Sequence, residues 1–207
     1  MKKPQPYIIG IAGPSSSGKT VLAKCLIKKL GQSNCSLIQL DSYYRDLSHL
    51  TPNKIKEYNY DLPDALEKEL LIDHIRTIAE GDEIHVPVYD YVTHTRTAEK
   101  TLIKPTKFVL VEGLFTLYWE ALKKNLDMKI YITVNDSVCF SRRLARDTKE
   151  RGATQDYVSN QYESTVRPMY EQFIQPTMQY ADLIVNGEDL PEKSTLAIMN
   201  HISEAYR

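Results

Sequence analysis

The chain has 207 residues, of which 42% are hydrophobic and 26% are charged, enough for one domain around a single sizeable core. Its formal net charge of -1 excludes a general electrostatic attraction to nucleic acid or to an anionic membrane. No apolar run approaches the roughly 18 residues of a membrane-spanning helix. We therefore expect neither nucleic acid nor a membrane as a partner.

Short apolar runs alternate with longer helical patterns, which is typical of an α/β fold with a mostly parallel sheet. Five apolar runs predict strands buried on both faces, at residues 7–12, 36–40, 108–113, 129–134 and 182–185. Spacing of apolar residues predicts helices at residues 19–30, 64–80, 137–150, 155–180 and 191–206. Pro168 and Pro176 predict breaks or kinks in the fourth of these helices.

Residues 84–104 do not follow this alternation. Polar and apolar residues alternate there with period two on both sides of a polar middle, which predicts an inserted antiparallel β-hairpin arm. Because the arm lies between the second helix and the third core strand, we interpret it as a candidate cover for a substrate.

The segment GPSSSGKT fits the pattern G-x-x-x-x-G-K-[ST] of a phosphate-binding P-loop, and it joins the first predicted strand to the first predicted helix. Glycines allow backbone N–H groups to surround phosphate oxygens, and the following helix adds its unpaired N-terminal donors. Lys19 would bridge the terminal phosphates, and Thr20 would offer a hydroxyl group to Mg²⁺. The predicted nucleotide-binding residues are Gly13, Ser15, Ser16, Ser17, Gly18, Lys19 and Thr20.

Two acids stand where predicted core strands end, at the edge of the sheet where open α/β folds bind ligands. Glu112 ends the third strand and could hold Mg²⁺ together with Thr20. Asp41 follows the second strand, where a carboxylate could take the proton of an attacking hydroxyl group or join the magnesium environment. An exposed acid at a strand end and a turn cap are the structural alternatives.

Arginines recur at helical spacing in the third predicted helix and just after it. On composition alone, a solvated basic face is the alternative. Beside a nucleotide, such a cluster can stabilise the charge that develops on transferring phosphate oxygens. We therefore predict an Arg-rich lid at about residues 143–156 that uses Arg143, Arg146 and Arg151. It should close only over bound phosphates, because the four clustered guanidinium groups, these three and that of Arg142, repel one another until an anion arrives. An outward-facing position is the alternative for Arg142.

The cysteines are odd in number and lack the spacing of a metal site, which indicates reduced thiols in a cytoplasmic protein. We expect them to be small core or surface residues. They are Cys25, Cys35 and Cys139.

Further blocks of sequence occur in the order in which one enzyme family has them. They are LDSYYRDL, YNYDLPDAL, VPVYDYVTHTR, VEGLF, RRLARDTKERG and NQYESTVRPMYEQFIQPTMQYADLIV. With the P-loop, they resemble the uridine kinases, P-loop kinases related to phosphoribulokinase and pantothenate kinase, over about residues 7–186. The resemblance implies one kinase domain over residues 1–207, which transfers the terminal phosphoryl group of ATP or GTP to the 5′-hydroxyl of uridine or cytidine in pyrimidine salvage.

The same resemblance implies roles for individual residues. Asp41 matches the base for the 5′-hydroxyl, and Asp61 matches the acid that binds the ribose hydroxyls, since a carboxylate can accept two O–H donors. Tyr89 and His94 match the residues that read the edge of the pyrimidine. The other matches are Thr20 and Glu112 near Mg²⁺, Tyr60 and Tyr91 stacking on the base, the lid arginines Arg143, Arg146 and Arg151, and Gln161 as a substrate-side amide.

Two positions depart from the family pattern. Ala153 stands where the family usually has an arginine, and Leu62 stands where a histidine is commoner. The acceptor is therefore left open between uridine, cytidine, another riboside and a small hydroxylated metabolite. A non-catalytic nucleotide-binding relative and a nucleotide switch are further alternatives, although the sequence lacks the [NT]-K-x-D element of guanine-specific GTPases. The family also implies a homo-oligomer, either a tetramer or a dimer.

Overall fold

The structure, a computed structural model, describes residues 5–205. Within this range the strands are β1 (Tyr7–Ala12), β2 (Cys35–Gln39), β3 (Ile84–Asp90), β4 (Thr95–Ile103), β5 (Phe108–Glu112), β6 (Met128–Thr133) and β7 (Leu183–Asn186). The helices are α1 (Lys19–Leu30), α2 (Pro52–Glu57), α3 (Lys68–Ala79), α4 (Glu120–Lys123), α5 (Asp136–Glu150), α6 (Gln155–Gln161), α7 (Arg167–Met169) and α8 (Pro191–Ala205). No helix among the described residues is both long and apolar enough to cross a bilayer.

Five strands form the central sheet in the order β2-β5-β1-β6-β7, and every pairing in it is parallel. The register places Tyr7 beside Phe108 on one side of β1 and Ile9 beside Met128 on the other. Each strand begins and ends within one residue of its predicted bounds. The predicted α/β fold with a five-stranded parallel sheet is therefore confirmed.

Alternate residues of the strands face two separate hydrophobic layers. Ile8 and Ala12 of β1 belong to the layer that α3 covers with Leu71, Ile75 and Ile78. The next residues along the strand, Ile9 and Ile11, face the layer formed with α1 and α8, where Leu22, Leu26, Ile198 and Ile202 pack. Because successive side chains of a strand point to opposite faces, a strand covered on both sides is apolar at nearly every position.

The second predicted helix begins later than expected. A 3-10 turn spans Pro63–Ala65, and the α-helix begins only at Lys68. Between them, the chain pairs with the segment that follows β2: the Arg45 N–H donates to the Ala65 carbonyl, and the Glu67 N–H donates to the Tyr43 carbonyl. These backbone groups are engaged across the gap, so they are not available to start a helix at residue 64.

The fourth predicted helix is irregular at both prolines, as expected. After α6, π-helical turns at Tyr162–Val166 and Tyr170–Ile174 flank α7, which contains Pro168. Proline has no N–H to donate and its ring crowds the carbonyl of the preceding turn, and wider π turns are a common accommodation of such a site. Pro176 lies near the start of a 3-10 segment, Gln175–Tyr180, which leads toward β7.

The predicted hairpin arm is present as a separate antiparallel sheet of β3 and β4. Its register shifts between Pro87 and Tyr89, consistent with a proline that cannot donate to the ladder. The arm is fastened by Arg96 of β4, whose guanidinium group donates to the carbonyl oxygens of Tyr43 and Tyr44 at 3.0 and 2.9 Å. The arm thus lies against the turn that follows β2.

Candidate active site

The loop between β1 and α1 has the backbone shape of an anion cradle. Gly13 and Gly18 have φ angles of 148° and 95°, values that L side chains rarely adopt. A Cβ atom on Gly13 would lie 2.6 Å from the carbonyl oxygen of Ile132, so this position requires glycine. Ser16 also has a positive φ, 62°, and such residues turn successive N–H groups toward one point, as in anion-binding nests.

Lys19 begins α1, and its ammonium group lies on the inside of the loop. Nζ donates to the carbonyl oxygens of Gly13 and Pro14 at 3.0 and 2.8 Å. Burial lowers the pKa of Lys19, and the negative charges of Glu112 and Asp41 act in the opposite direction. The ammonium group is thus held at the loop beside Asp41, which follows β2, and Glu112, which ends the neighbouring strand β5.

The loop serines supply hydroxyl groups to the same space. The hydroxyl oxygens of Ser16 and Ser17 are buried and have no hydrogen-bond partner among residues 5–205. Ser15 Oγ accepts a hydrogen bond of 3.0 Å from Nη1 of Arg143. Buried polar atoms without partners are uncommon in proteins, so the hydroxyl groups of Ser16 and Ser17 are candidates for contact with a polar ligand.

Helix α1 and the neighbouring strands β2 and β5 bring Thr20, Gln39 and Glu112 together at the carboxyl edge of the sheet. Gln39 and Glu112 are register partners of β2 and β5, and Gln39 Nε2 donates to Glu112 Oε1 at 3.0 Å. Thr20 Oγ1 donates to the same oxygen at 2.7 Å. Glu112 is only 5% exposed, so the exposed strand-end acid is not the correct interpretation.

The oxygen atoms of Thr20 and Glu112 suit Mg²⁺, which takes few ligands from protein, better than they suit a metal ion coordinated entirely by side chains. No group of three or more His, Cys, Asp or Glu residues is placed to hold a metal ion in the described part of the chain. Mg²⁺ commonly takes one or two carboxylates and completes its shell with water and substrate phosphates. The hydroxyl group of Thr20 and the carboxylate of Glu112, in contact beside the P-loop, suit that requirement.

Asp41 lies in the turn directly after β2, between groups of both charges. Burial raises the pKa of Asp41 to about 6, and the like charge of Glu112 acts in the same direction. Lys19, Arg151 and Arg146 oppose this shift. A carboxyl group with a pKa near 6 can accept a proton at neutral pH more readily than an ordinary aspartate.

Arg143 links the P-loop to the helix that follows α5. It is buried, and besides its bond to Ser15 it donates from Nη2 to Gln161 Oε1 at 3.1 Å. The predicted residues Arg143 and Gln161 are therefore neighbours. Arg142 points elsewhere: its Nη1 donates to the carbonyl oxygen of Gly187 beyond β7, at 3.0 Å.

Asp147, which the sequence analysis did not single out, gathers the three predicted lid arginines. Its carboxylate Oδ1 lies 2.8 Å from Nε of Arg146 and 3.4 Å from Nη1 of Arg151, and Oδ2 lies 3.3 Å from Nε of Arg143. The expectation that these guanidinium groups repel one another until an anion arrives is therefore wrong. A signal existed, because Asp147 stands four residues after Arg143 and four before Arg151, a spacing that places them on one helical face.

The aromatic residues predicted for the base form one cluster. Tyr60 and His94 are stacked, with ring centroids 4.6 Å apart and an interplanar angle of 25°, and Tyr89 meets Tyr91 edge-on at 5.4 Å. Tyr44 joins the two pairs, 5.7 Å from Tyr60 and 5.4 Å from Tyr89. The sequence analysis missed Tyr44, because Tyr43 and Tyr44 are adjacent and no periodicity in the sequence shows which of them joins the aromatic cluster.

Asp61 stands at the other side of the same space. It is 6% exposed, and its backbone N–H donates to Oδ1 of Asn59 at 3.0 Å. Burial raises the pKa of Asp61, while Arg143, Arg146 and Lys19 oppose the shift. Leu62, the departure from the family pattern, is 37% exposed.

Most of these groups line one cavity of about 940 Å³, a size that suits a nucleotide and a small second substrate. Every predicted site residue except Gly13 lines it, and so do Tyr44, Asp147 and Ala153. The loop, the two acids, the arginines and the aromatic cluster are thus parts of a single site.

Comparison with known proteins identifies the family. A model of the phosphoribulokinase / uridine kinase family matches residues 8–195. The chain is 45% identical to a uridine kinase of Shewanella pealeana over 182 residues, 86% of each chain. It is 45% identical to a uridine kinase of Staphylococcus epidermidis over 181 residues, 87% of each chain.

Among solved structures, phosphoribulokinase from Rhodobacter spheroides superposes with a TM-score of 0.68 at 16% identity, covering 88% of this chain and 70% of that one. At this identity, the likeness concerns the fold alone. The match of the family model to nearly the whole described chain, together with these two close relatives, shows that the protein belongs to the phosphoribulokinase / uridine kinase family.

Proposed function

We propose that this protein is a nucleoside kinase that transfers the terminal phosphoryl group of a nucleoside triphosphate to the 5′-hydroxyl of uridine, and of cytidine, to give the 5′-monophosphate. The observation that carries the proposal is the convergence of P-loop, Asp41 and Asp61 on one cavity. The two relatives described above, both uridine kinases, support the same acceptor. Such a reaction serves pyrimidine salvage.

The triphosphate of ATP or GTP would lie in the P-loop. Backbone N–H groups and the hydroxyl groups of Ser16 and Ser17 would bind its oxygens, and Lys19 would neutralise the terminal phosphates. The ammonium group already lies at the loop, where two of its three N–H donors are taken by carbonyl oxygens of Gly13 and Pro14. A phosphate oxygen would take the third donor or replace one of these acceptors.

Mg²⁺ would be held by Thr20 and Glu112, with Asp41 close by, and would neutralise charge on the phosphate oxygens. Gln39 keeps the Glu112 carboxylate in place through its 3.0 Å hydrogen bond. Thr20 and Gln39 both donate to Oε1 of Glu112, so the second carboxylate oxygen, Oε2, has no hydrogen-bond partner among the described residues.

Asp41 would accept the proton of the 5′-hydroxyl as the oxygen attacks the terminal phosphorus. The reaction forms a bond from the 5′-oxygen to phosphorus and breaks the bond to the bridging oxygen of the diphosphate leaving group. Arg146 and Arg151 lie close enough to Asp41 to affect its pKa, so their charges are available to the transferring group. Arg143 would hold the cluster to the P-loop through Ser15.

The nucleoside would bind between Asp61 and the aromatic cluster. The carboxylate of Asp61, a residue that is 6% exposed and lines the cavity, would accept both ribose hydroxyls. The buried hydroxyl group of Tyr89, which has no partner in the described part of the chain, would read the pyrimidine edge with His94. Tyr60, Tyr91 and Gln161 complete the proposed contacts, the tyrosines by stacking and the amide on the substrate side.

We further propose that one kinase domain over residues 1–207 carries the activity, with the arm at 84–103 as substrate cover and residues 143–156 as lid. The three cysteines are free thiols in the structure, which supports a cytoplasmic setting. Assembly into a dimer or a tetramer is expected from the family resemblance, and sedimentation velocity would measure it.

The proposal is tested by the acceptor that stimulates turnover. Purified protein is incubated with ATP, Mg²⁺ and one of uridine, cytidine, adenosine, guanosine or ribose, and ADP release is followed while mass spectrometry identifies the product. Uridine should raise ADP release at least tenfold over the rate without acceptor and yield its 5′-monophosphate. Stimulation by a different acceptor alone would reassign the substrate. Stimulation by none, with ATP bound, would make the protein a non-catalytic relative.

A further inference from the structure

Arg143, Arg146 and Arg151 form an arginine cluster around one buried carboxylate, that of Asp147. Asp147 is 4% exposed and its two carboxylate oxygens face all three guanidinium groups. Nε of Arg146 donates to Oδ1 of Asp147 in a hydrogen bond, whereas Nε of Arg143 lies 3.3 Å from Oδ2 as an ion-pair contact without a hydrogen bond. Both Nη atoms of Arg146 have no partner within residues 5–205.

The backbone of Asp147 also sets the path of the chain beyond α5. Its carbonyl oxygen accepts hydrogen bonds from the N–H groups of Arg151 and Ala153, at 3.3 and 3.1 Å. One residue therefore fixes the end of the helix with its main chain and the orientation of the cluster with its side chain. Its carboxylate also lies near Asp61 of the proposed ribose site, so that its negative charge acts to raise the pKa of Asp61.

Charge balance gives this arrangement a use. Three guanidinium groups around one carboxylate keep a net positive charge that attracts phosphates. The carboxylate offsets part of the repulsion between them, so that they stay together when no phosphate is bound. Because Asp147 contacts Arg146 through Nε, phosphate oxygens can bind the terminal nitrogens of Arg146 while this ion pair remains. The terminal nitrogens of Arg143 already donate to Ser15 and Gln161, and Asp147 faces Nη1 of Arg151. On Arg146, the carboxylate and the anion would thus use different nitrogen atoms of one guanidinium group.

We propose that Asp147 is a positioning residue for phosphoryl transfer: a built-in counter-ion that holds Arg143, Arg146 and Arg151 in the orientation that the transferring phosphate requires. This inference rests on the proposed kinase activity and goes beyond it. A purely structural ion pair is the competing explanation, and it predicts a change in stability with no change in the chemistry of folded enzyme.

The test compares Asp147→Asn with Asp136→Asn in the full-length protein. Asp136 begins the same helix and pairs with Arg167 outside the cavity, so its substitution removes the same charge without touching the cluster. For each variant, kcat with uridine is measured per folded molecule, and ATP binding is measured by calorimetry without uridine. We expect Asp147→Asn to lower kcat at least fivefold while ATP binds as tightly as to wild type or several-fold more tightly, since one competing negative charge is gone.

Asp136→Asn should leave both quantities within twofold of wild type. A fall in kcat of less than fivefold in Asp147→Asn, or ATP binding weakened along with kcat, overturns the inference. If this variant does not fold, Asp147→Glu decides, because it keeps the charge and displaces it by one methylene group. That variant must lower kcat at least fivefold with ATP affinity within twofold of wild type, and any other result overturns the inference. Absence of uridine-dependent turnover in wild-type protein would instead refute the proposed function.

Discussion

Asp41 combines a raised pKa with a location between the P-loop lysine and the acid of β5. If it is the base, only its unprotonated form is active, and its pKa of about 6 sets the acid limb of the rate profile. We expect kcat/KM for uridine to fall about tenfold for each pH unit below pH 6. Asp41→Asn should lose roughly a thousandfold or more in kcat while still binding ATP. A wild-type profile that stays level down to pH 5 would contradict this role.

The same shift in pKa predicts a cost in stability. The folded protein holds the proton of Asp41 more tightly than the unfolded chain, whose aspartate has a pKa of 3.8. The contribution of Asp41 to stability is therefore fully present below about pH 4 and is lost as pH rises through about 6. Asp41→Asn should then be more stable than wild type at pH 8, by about 1 to 3 kcal/mol. Denaturant titrations at pH 8 and pH 4 measure the difference, which should shrink at the lower pH.

Tyr89 carries a hydroxyl group that is buried without a partner among the described residues. If that group reads the base, Tyr89→Phe should raise KM for uridine about tenfold with little effect on kcat or on ATP binding. Stability should not fall, because no hydrogen bond within the described chain is lost. Tyr43→Phe is the matched control: its hydroxyl group is bonded to His74 at 2.9 Å outside the cavity, so the variant should lose stability and keep KM.

At the scale of elements, Arg96 joins the hairpin arm to the turn that carries Asp41. Besides its two bonds to backbone carbonyls, it pairs with Glu67 at 2.7 Å. One side chain on β4 therefore ties the arm to the turn after β2 and to the segment before α3. The position of the aromatic cluster relative to Asp41 depends on this connection.

We expect Arg96→Lys to raise KM for uridine and lower kcat together, about fivefold or more each, because an ammonium group cannot reach all three acceptors. Hydrogen exchange of residues 84–103 should also become faster, since the arm is released from the turn. Lys100→Gln, on an exposed position of the same strand, supplies the control and should change neither. Unchanged exchange in Arg96→Lys would show that the arm is held by its other contacts.

At the scale of the whole molecule, the strand order brings the carboxyl ends of β1, β2 and β5 side by side. The P-loop, Asp41 and Glu112 therefore approach one another although many residues separate them in sequence. A ligand that bridges these segments should stabilise the entire fold. ADP with Mg²⁺ at 100 times its dissociation constant should add about 2.7 kcal/mol to the free energy of unfolding. Thermal melts with and without ADP measure this, and Gly13→Ala, which crowds the loop against Ile132, should abolish the shift.

Local sequence was sufficient for the features that depend on local rules. Strands β1 and β5 were predicted because a strand buried on both faces is apolar at nearly every position. The P-loop was predicted because its glycines and Lys19 meet requirements of backbone geometry that lie within eight residues. Thr20 and Glu112 were predicted to meet because strand ends of a parallel sheet share one edge, and their 2.7 Å hydrogen bond confirms the contact.

Tertiary structure alone decided the contacts that no local rule determines. The delayed start of α3 follows from backbone pairing with the segment after β2, and the place of Tyr44 follows from the docking of the arm. Arg96 finds its three acceptors only when β4 lies against that turn. The helical spacing of Asp147 from the arginines was visible in the sequence, but its burial was not. Burial strengthens the ion pairs, because water would screen an exposed carboxylate among arginines. The sequence thus determines which groups are available, and the packing of distant segments determines which of them act together.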